Sequence, residues 1–157
     1  MSLVLAGCGF ALRGSEQTAM PITTVELRAM QQNSPFMQQL RDALANADVS
    51  TSPAGGSATY ILSVGEEQTS TRTASVNSRA RAAQYDLQLA VSVQLDGAGI
   101  TVFGPETLSV QRSYYEDIAN IAGSNEEMEL LRTEMRRELV EQLLRRLRVA
   151  ANSATSQ

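Results

Sequence analysis

The sequence predicts an α+β fold, a two-layer sandwich in which two helices cover one face of a four-stranded, mixed but mostly antiparallel sheet, in the order βαβββα. Two kinds of pattern carry that expectation. Tyr85, Leu87, Leu89, Val91, Val93 and Leu95 alternate with Asp86, Gln88, Ala90, Ser92, Gln94 and Asp96, giving a strand with one dry and one wet face. Such a strand belongs to an antiparallel sheet covered on a single side. Ser34-Pro35 and Ser124-Asn125-Glu126-Glu127 are helix-start signals, and apolar residues follow each at spacings of three and four.

Taken in order, residues 22–29 form the first strand, with Thr23, Val25, Leu27 and Ala29 alternating with Thr24, Glu26 and Arg28. Phe36, Leu40, Leu44 and Ala47 line one side of a helix that runs to about residue 47. Pro53, Gly55 and Gly56 mark a loop. A second strand begins at Thr59, with Tyr60, Leu62 and Val64 alternating, and continues through Thr and Ser to about Val76. Residues 77–83 read as a hairpin connection into the long strand, and Gly97 to Gly104 as the next turn. Leu108, Val110, Arg112 and Tyr114 form the last strand. Met128, Leu131, Met135, Leu139, Leu143 and Leu147 make the core stripe of the last helix, whose C-terminus Arg145, Arg146 and Arg148 suit. A helix between the first two strands makes them parallel if they are neighbours, and the later hairpins are antiparallel.

At 157 residues the chain is one domain, long enough to bury a core without disulfides or metal. It has no His, one Cys, no Trp, and every one of its 13 basic residues is Arg. Without His there is no Ser-His-Asp or Cys-His arrangement, and a zinc site of Cys and His is impossible. A net charge of −4 argues against nucleic acid as a partner bound by bulk electrostatics. No run of 18 apolar residues is present. What remains is carboxylate chemistry, such as glycan hydrolysis by two acids, or no chemistry; no cofactor is expected. The acids fall on wet faces or at element ends, which disfavours an enzyme.

Leu5-Ala6-Gly7-Cys8 resembles the lipobox of a bacterial lipoprotein signal, in which cleavage before the Cys leaves it as the lipidated first residue. The plain alternative is an incidental thiol. On the lipoprotein reading, residues 1–7 are a remnant of the signal or a leader, 8–21 a linker to the lipid anchor, 22–150 the domain and 151–157 a flexible tail. Lipidation at Cys8 would hold the chain firmly to a membrane.

Cys8-Gly9-Phe10-Ala11-Leu12-Arg13 also resembles the start of the mature LptE lipopolysaccharide-assembly lipoproteins. Ala82-Ala83-Gln84-Tyr85, Arg112-Ser113-Tyr114-Tyr115, Asn125-Glu126, Glu134-Met135 and Glu141-Gln142-Leu143-Leu144-Arg145-Arg146-Leu147 match the family in order, from residue 8 to 147. The resemblance implies a non-enzymatic protein, lipid-anchored on the periplasmic side of the outer membrane. It implies two partners: the LptD β-barrel, which family members plug and help assemble, and lipopolysaccharide on its way to the cell surface. The alternative is an unrelated small envelope lipoprotein that binds another protein without touching lipopolysaccharide.

Arg pairs well with phosphate, and the family presents basic residues near a loop tip, so Arg79, Arg81 and Arg72 are the candidate lipopolysaccharide contacts. Solubilising loop charge is the competing reading. The loop before the last helix, where relatives can carry Lys, here reads Ala122-Gly123-Ser124. Arg112 lies in phase with Leu108, Val110 and Tyr114, so a structural pairing with a helix carboxylate is expected for it.

Overall fold

The computed structural model describes residues 20–53, 55–56, 58–76, 82–115 and 121–155. Its elements are β1 (Thr24–Ala29), α1 (Pro35–Asn46), β2 (Ser50–Ser52), β3 (Tyr60–Val64), β4 (Gln68–Val76), β5 (Ala82–Gly97), β6 (Ile100–Tyr115) and α2 (Ile121–Thr155). This is an α+β architecture with two helices and a mixed sheet.

The sheet is organised around β5. Val93 pairs with Val64 of β3 and with Glu106 of β6, while Leu89 pairs with Thr69 of β4 and Val110 of β6. A strand has two edges, so β3 and β4 lie end to end along one of them and β6 runs along the other. β1 lies parallel to β3, and β2 parallel to β1. Among the described residues the expected four strands are therefore six. The extended segment from residue 59 to 76 is interrupted at residues 65–67, where β3 gives way to β4, because three steps along β5 (93 to 90) face four along its partner (64 to 68). Gly65 sits at the break, its amide bonded to the Ser92 carbonyl at 2.8 Å; a Cβ there would lie 2.1 Å from Ser92 Oγ. The sixth strand, β2, is only three residues long, too short for a periodic signal.

Other expectations shift at element ends. The turn expected over residues 97–104 contracts to Ala98 and Gly99, both at positive φ (52° and 81°), the conformation that joins twisted antiparallel strands most tightly. The last helix starts at Ile121, not at Ser124, so the Ser124 capping-box pattern falls inside a helix. A cap contributes about 1 kcal/mol, and adding a turn to a formed helix costs little, so local preference yields. The tail expected from residue 151 is helical to Thr155, with Ala151 only 1% exposed. Arg145, Arg146 and Arg148 consequently sit well inside α2, not at its end.

The core follows the alternation. Leu87, Leu89, Val91, Val93 and Leu95 are buried, with Val25, Leu27, Leu62, Val64, Leu108 and Val110 on the same side of the sheet by register. Phe36, Met37, Leu40 and Leu44 of α1 and Met135, Leu139, Leu143 and Leu147 of α2 join them in one cluster. α1 starts as its sequence predicts: Ser34 caps it, its hydroxyl accepting from the Met37 amide at 3.2 Å, and Pro35 fills the first turn.

Two ionic contacts reinforce this body. Arg136 of α2 forks onto Glu67 at the β3–β4 break, Nε to Oε2 at 2.9 Å and Nη2 to Oε1 at 3.0 Å, with both side chains close to nine-tenths buried. Glu26 of β1 points away from the helices yet is 2% exposed. Arg28 Nε donates to its carboxylate at 2.6 Å. The Arg28 hydrogen bond, helped by the Gly55 amide, holds the Glu26 carboxyl below its ordinary value of 4.5 against the opposing effect of burial.

Two outcomes are expected. Glu67→Ala leaves a buried arginine without its partner and lowers unfolding stability by ~3–5 kcal/mol in urea, whereas Glu67→Leu with Arg136→Met restores most of it. A depressed folded pKa contributes stability that is present above 4.5 and lost as pH falls through the folded value. The difference in melting temperature between the parent chain and Glu26→Gln therefore narrows on acidification below that point, and a pH-independent difference would refute the assignment.

Candidate functional site

The face of the sheet turned away from the helices is the broadest site-like surface. By register its rows run Arg72–Asp86–Ser113, Ser70–Gln88–Gln111, Gln68–Ala90–Ser109 and then Ser92–Thr107. Ser63 and Gln94 continue it toward β1, where Arg28 stands opposite Ser63. Among the described residues no helix packs on this face. It is built from hydroxyls and carboxamides, which both donate and accept, with few charges. Ser113 Oγ donates to Asp86 at 2.6 Å, and Gln94 Nε2 to Asp96 at 2.8 Å, so part of the face is pre-ordered. A depression of about 410 Å³ opens there beside Gly65, lined by Arg28, Ser63, Ser92, Gln94 and Pro105 among others.

A second hollow of about 410 Å³ lies between the two helices, with Asp42, Ala43, Leu130, Arg137, Val140 and Leu144 in its walls. Leu130 is 63% exposed at its margin. Near the far end of β5 and β6, Tyr85 and Tyr114 stack with ring centres 5.3 Å apart, and Tyr115 is exposed.

The residues singled out by sequence fall as follows. Cys8, Arg79 and Arg81 lie outside the described residues. Arg72 is exposed on β4 in register with Asp86, on the open face and four residues short of where β4 ends at Val76. Arg112 lies across from Leu87, on the helix side, where its guanidinium pairs with Glu138 of α2 and donates to the Gln111 carbonyl at 2.9 Å. The structure thus separates Arg72 from Arg112 by the thickness of the sheet.

Among the described residues, sequence reasoning missed four ionic contacts: Glu26–Arg28, Glu67–Arg136, Glu106–Arg146 and Glu129–Arg132. Glu26 occupies a wet position of an alternating strand, so only the loop carrying Gly55 reveals its burial. The Glu67–Arg136 partners are 69 residues apart, beyond any local pattern. Among the described residues no group of three Cys, Asp or Glu could hold a metal ion, and no helix is long and apolar enough to cross a membrane.

Comparison with known proteins places this geometry. Residues 22–147 match the family model LptE, described as lipopolysaccharide-assembly. The chain is 26% identical over 151 residues to the LPS-assembly lipoprotein LptE of Photorhabdus laumondii, covering 96% of this chain and 82% of the relative. It is 27% identical over 146 residues to that of Pectobacterium atrosepticum, covering 92% and 79%. In fold it resembles the rare lipoprotein B of Shewanella oneidensis, with a TM-score of 0.75, 19% identity, and 85% and 99% of the two chains covered. Lipoprotein B of Nitrosomonas europaea also reaches a TM-score of 0.75, at 20% identity and 93% of each chain. The match over residues 22–147 takes in every strand, α1 and most of α2, and this chain belongs to LptE, a family of lipopolysaccharide-assembly lipoproteins and not of enzymes.

Proposed function

We propose that this chain is a lipoprotein anchored through Cys8 on the periplasmic side of the outer membrane. There it plugs and helps assemble the LptD β-barrel and binds lipopolysaccharide during delivery to the cell surface. Family membership carries the assembly role. The observation that supports the plug is the open sheet face. A wet barrel interior is lined by polar side chains, and a plug must offer hydrogen-bond partners without burying unpaired charge. Rows of Ser, Thr and Gln on a sheet backed by a close-packed core meet both conditions. Helices on one side and an uncovered face on the other make a two-layer body that stays rigid while its polar side is occupied.

Arg79 and Arg81, with Arg72, are proposed to hold lipid A phosphates. Arg72 supports this by its position on β4, the strand that leads toward residues 79 and 81. Arg72 is exposed, and arginine forms paired hydrogen bonds with phosphate.

Two measurements test the reading. Affinity purification of the natively processed lipoprotein from its own outer membrane is expected to recover a large β-barrel in roughly equal amount. Recovery alone, or with another envelope protein, would favour an interaction module of a different kind. Arg79→Glu with Arg81→Glu is expected to weaken lipopolysaccharide binding about tenfold, equivalent to ~1.4 kcal/mol, and unchanged binding would remove these residues from the site.

A further inference from the structure

The described part of the chain begins at one end of an elongated body, and that end has its own character. Pro21, Thr23 and Thr24 share a hollow with Thr59 and Tyr60. Tyr60 in turn lines a second hollow with Gly97, Ala98, Ile100, Ala150 and Ser153. The N-terminal lead into β1, the tight β5–β6 turn and the last turns of α2 are therefore gathered at one pole. Ile100 there is 69% exposed and Val149 67%. Arg145 and Arg146 precede Val149 on the same helix, and each leaves 60% of its side chain in water. Their partners, exposed Glu141 at 3.9 Å and half-buried Glu106 at 3.4 Å, make loose pairs of small strength. These arginines are not terminal charges answering the helix dipole, because α2 runs on to Thr155 and the dipole's influence fades within the last turn.

We propose that this pole is a lipid-facing surface: Ile100 and Val149 rest among phospholipid headgroups and Arg145 and Arg146 meet their phosphates. The inference rests on the anchoring of Cys8 proposed above, and the length of chain between anchor and domain decides the geometry. Twelve residues separate Cys8 from Pro21, a reach of at most ~45 Å when the thirteen steps are fully drawn out. The 35 residues of α2 span ~52 Å. A domain whose chain enters at this pole cannot stand inverted on the bilayer, since the tether would have to run its full length. Tethering instead raises the local concentration of lipid at this pole, where Ile100 and Val149 are exposed and Arg145 and Arg146 stand one turn back along α2, the apolar and cationic features that interfacial binding uses.

The test uses the whole chain. Its single cysteine allows Cys8 to be coupled to a maleimide-headgroup lipid in vesicles of phosphatidylethanolamine and phosphatidylglycerol, with coupling verified by flotation. A photo-crosslinking benzophenone amino acid is placed, one site at a time, at positions 100, 149, 111 and 76. Lipid adducts at 100 and 149 are expected to exceed those at 76 and 111 by roughly fivefold or more. Arg145→Glu with Arg146→Glu is expected to reduce the adducts at 149 in these vesicles, and to leave them unchanged in phosphatidylcholine alone. Equal yields at all four positions, or the highest yield at 76, would overturn the proposal. Natural acylation of Cys8 is read separately from the mass of the processed chain. An unmodified mass would reject the anchor, while the vesicle result would still judge the surface.

Discussion

The register of β5 is the constraint on which the rest depends. A strand has a period of two, so a slip of one residue would carry Leu87, Leu89, Val91, Val93 and Leu95 from the core to the open face and bring Asp86, Gln88, Ser92, Gln94 and Asp96 inward. Burying a carboxylate or carboxamide without partners costs several kcal/mol each, so the slipped sheet has no competing minimum. With β5 fixed, β3, β4 and β6 are set by pairing, β1 follows by parallel pairing to β3, and the helices have one apolar surface on which to pack.

That one-sidedness also links stability to function. The chain spends its apolar residues on the helix side and leaves the opposite face to hydroxyls and carboxamides. A surface of this kind does not drive self-association, but it offers donors and acceptors to a polar partner of matching shape. The buried pair Glu67–Arg136 ties α2 to the break between β3 and β4. Such a tie suits the proposed plug, since a plug that shifted would lose contacts along its whole length.

The two poles of the body divide the proposed work. At one, the lead into β1, the β5–β6 turn and the end of α2 stand together with exposed Ile100 and Val149. Toward the other lie the end of β4, the stacked Tyr85 and Tyr114, and the start of α2. In the proposed arrangement the anchored end of the domain and the proposed contact Arg72 lie toward opposite ends of a body whose α2 spans ~52 Å. The proposed tether would then orient the domain as well as retain it.

The sequence by itself determined the α+β class, the helices with their Ser34 start and Leu139–Leu143–Leu147 stripe, and the two-faced long strand, because each is written in residues a few positions apart. The family resemblance was also legible there, since its motifs recur in order along the chain. Tertiary structure decided what depends on distant neighbours. The three-residue β2 exists only because β1 offers it an edge, and α2 runs past Ala151 because that side chain finds cover. Ser124, a local helix-start signal, was absorbed into the helix, because a cap supplies only a modest energy. Glu26 and Glu67 read as solvated acids along the chain and proved to be buried partners of Arg28 and Arg136. Charge pairing across a fold leaves no periodic mark, because its geometry is created only when the elements pack.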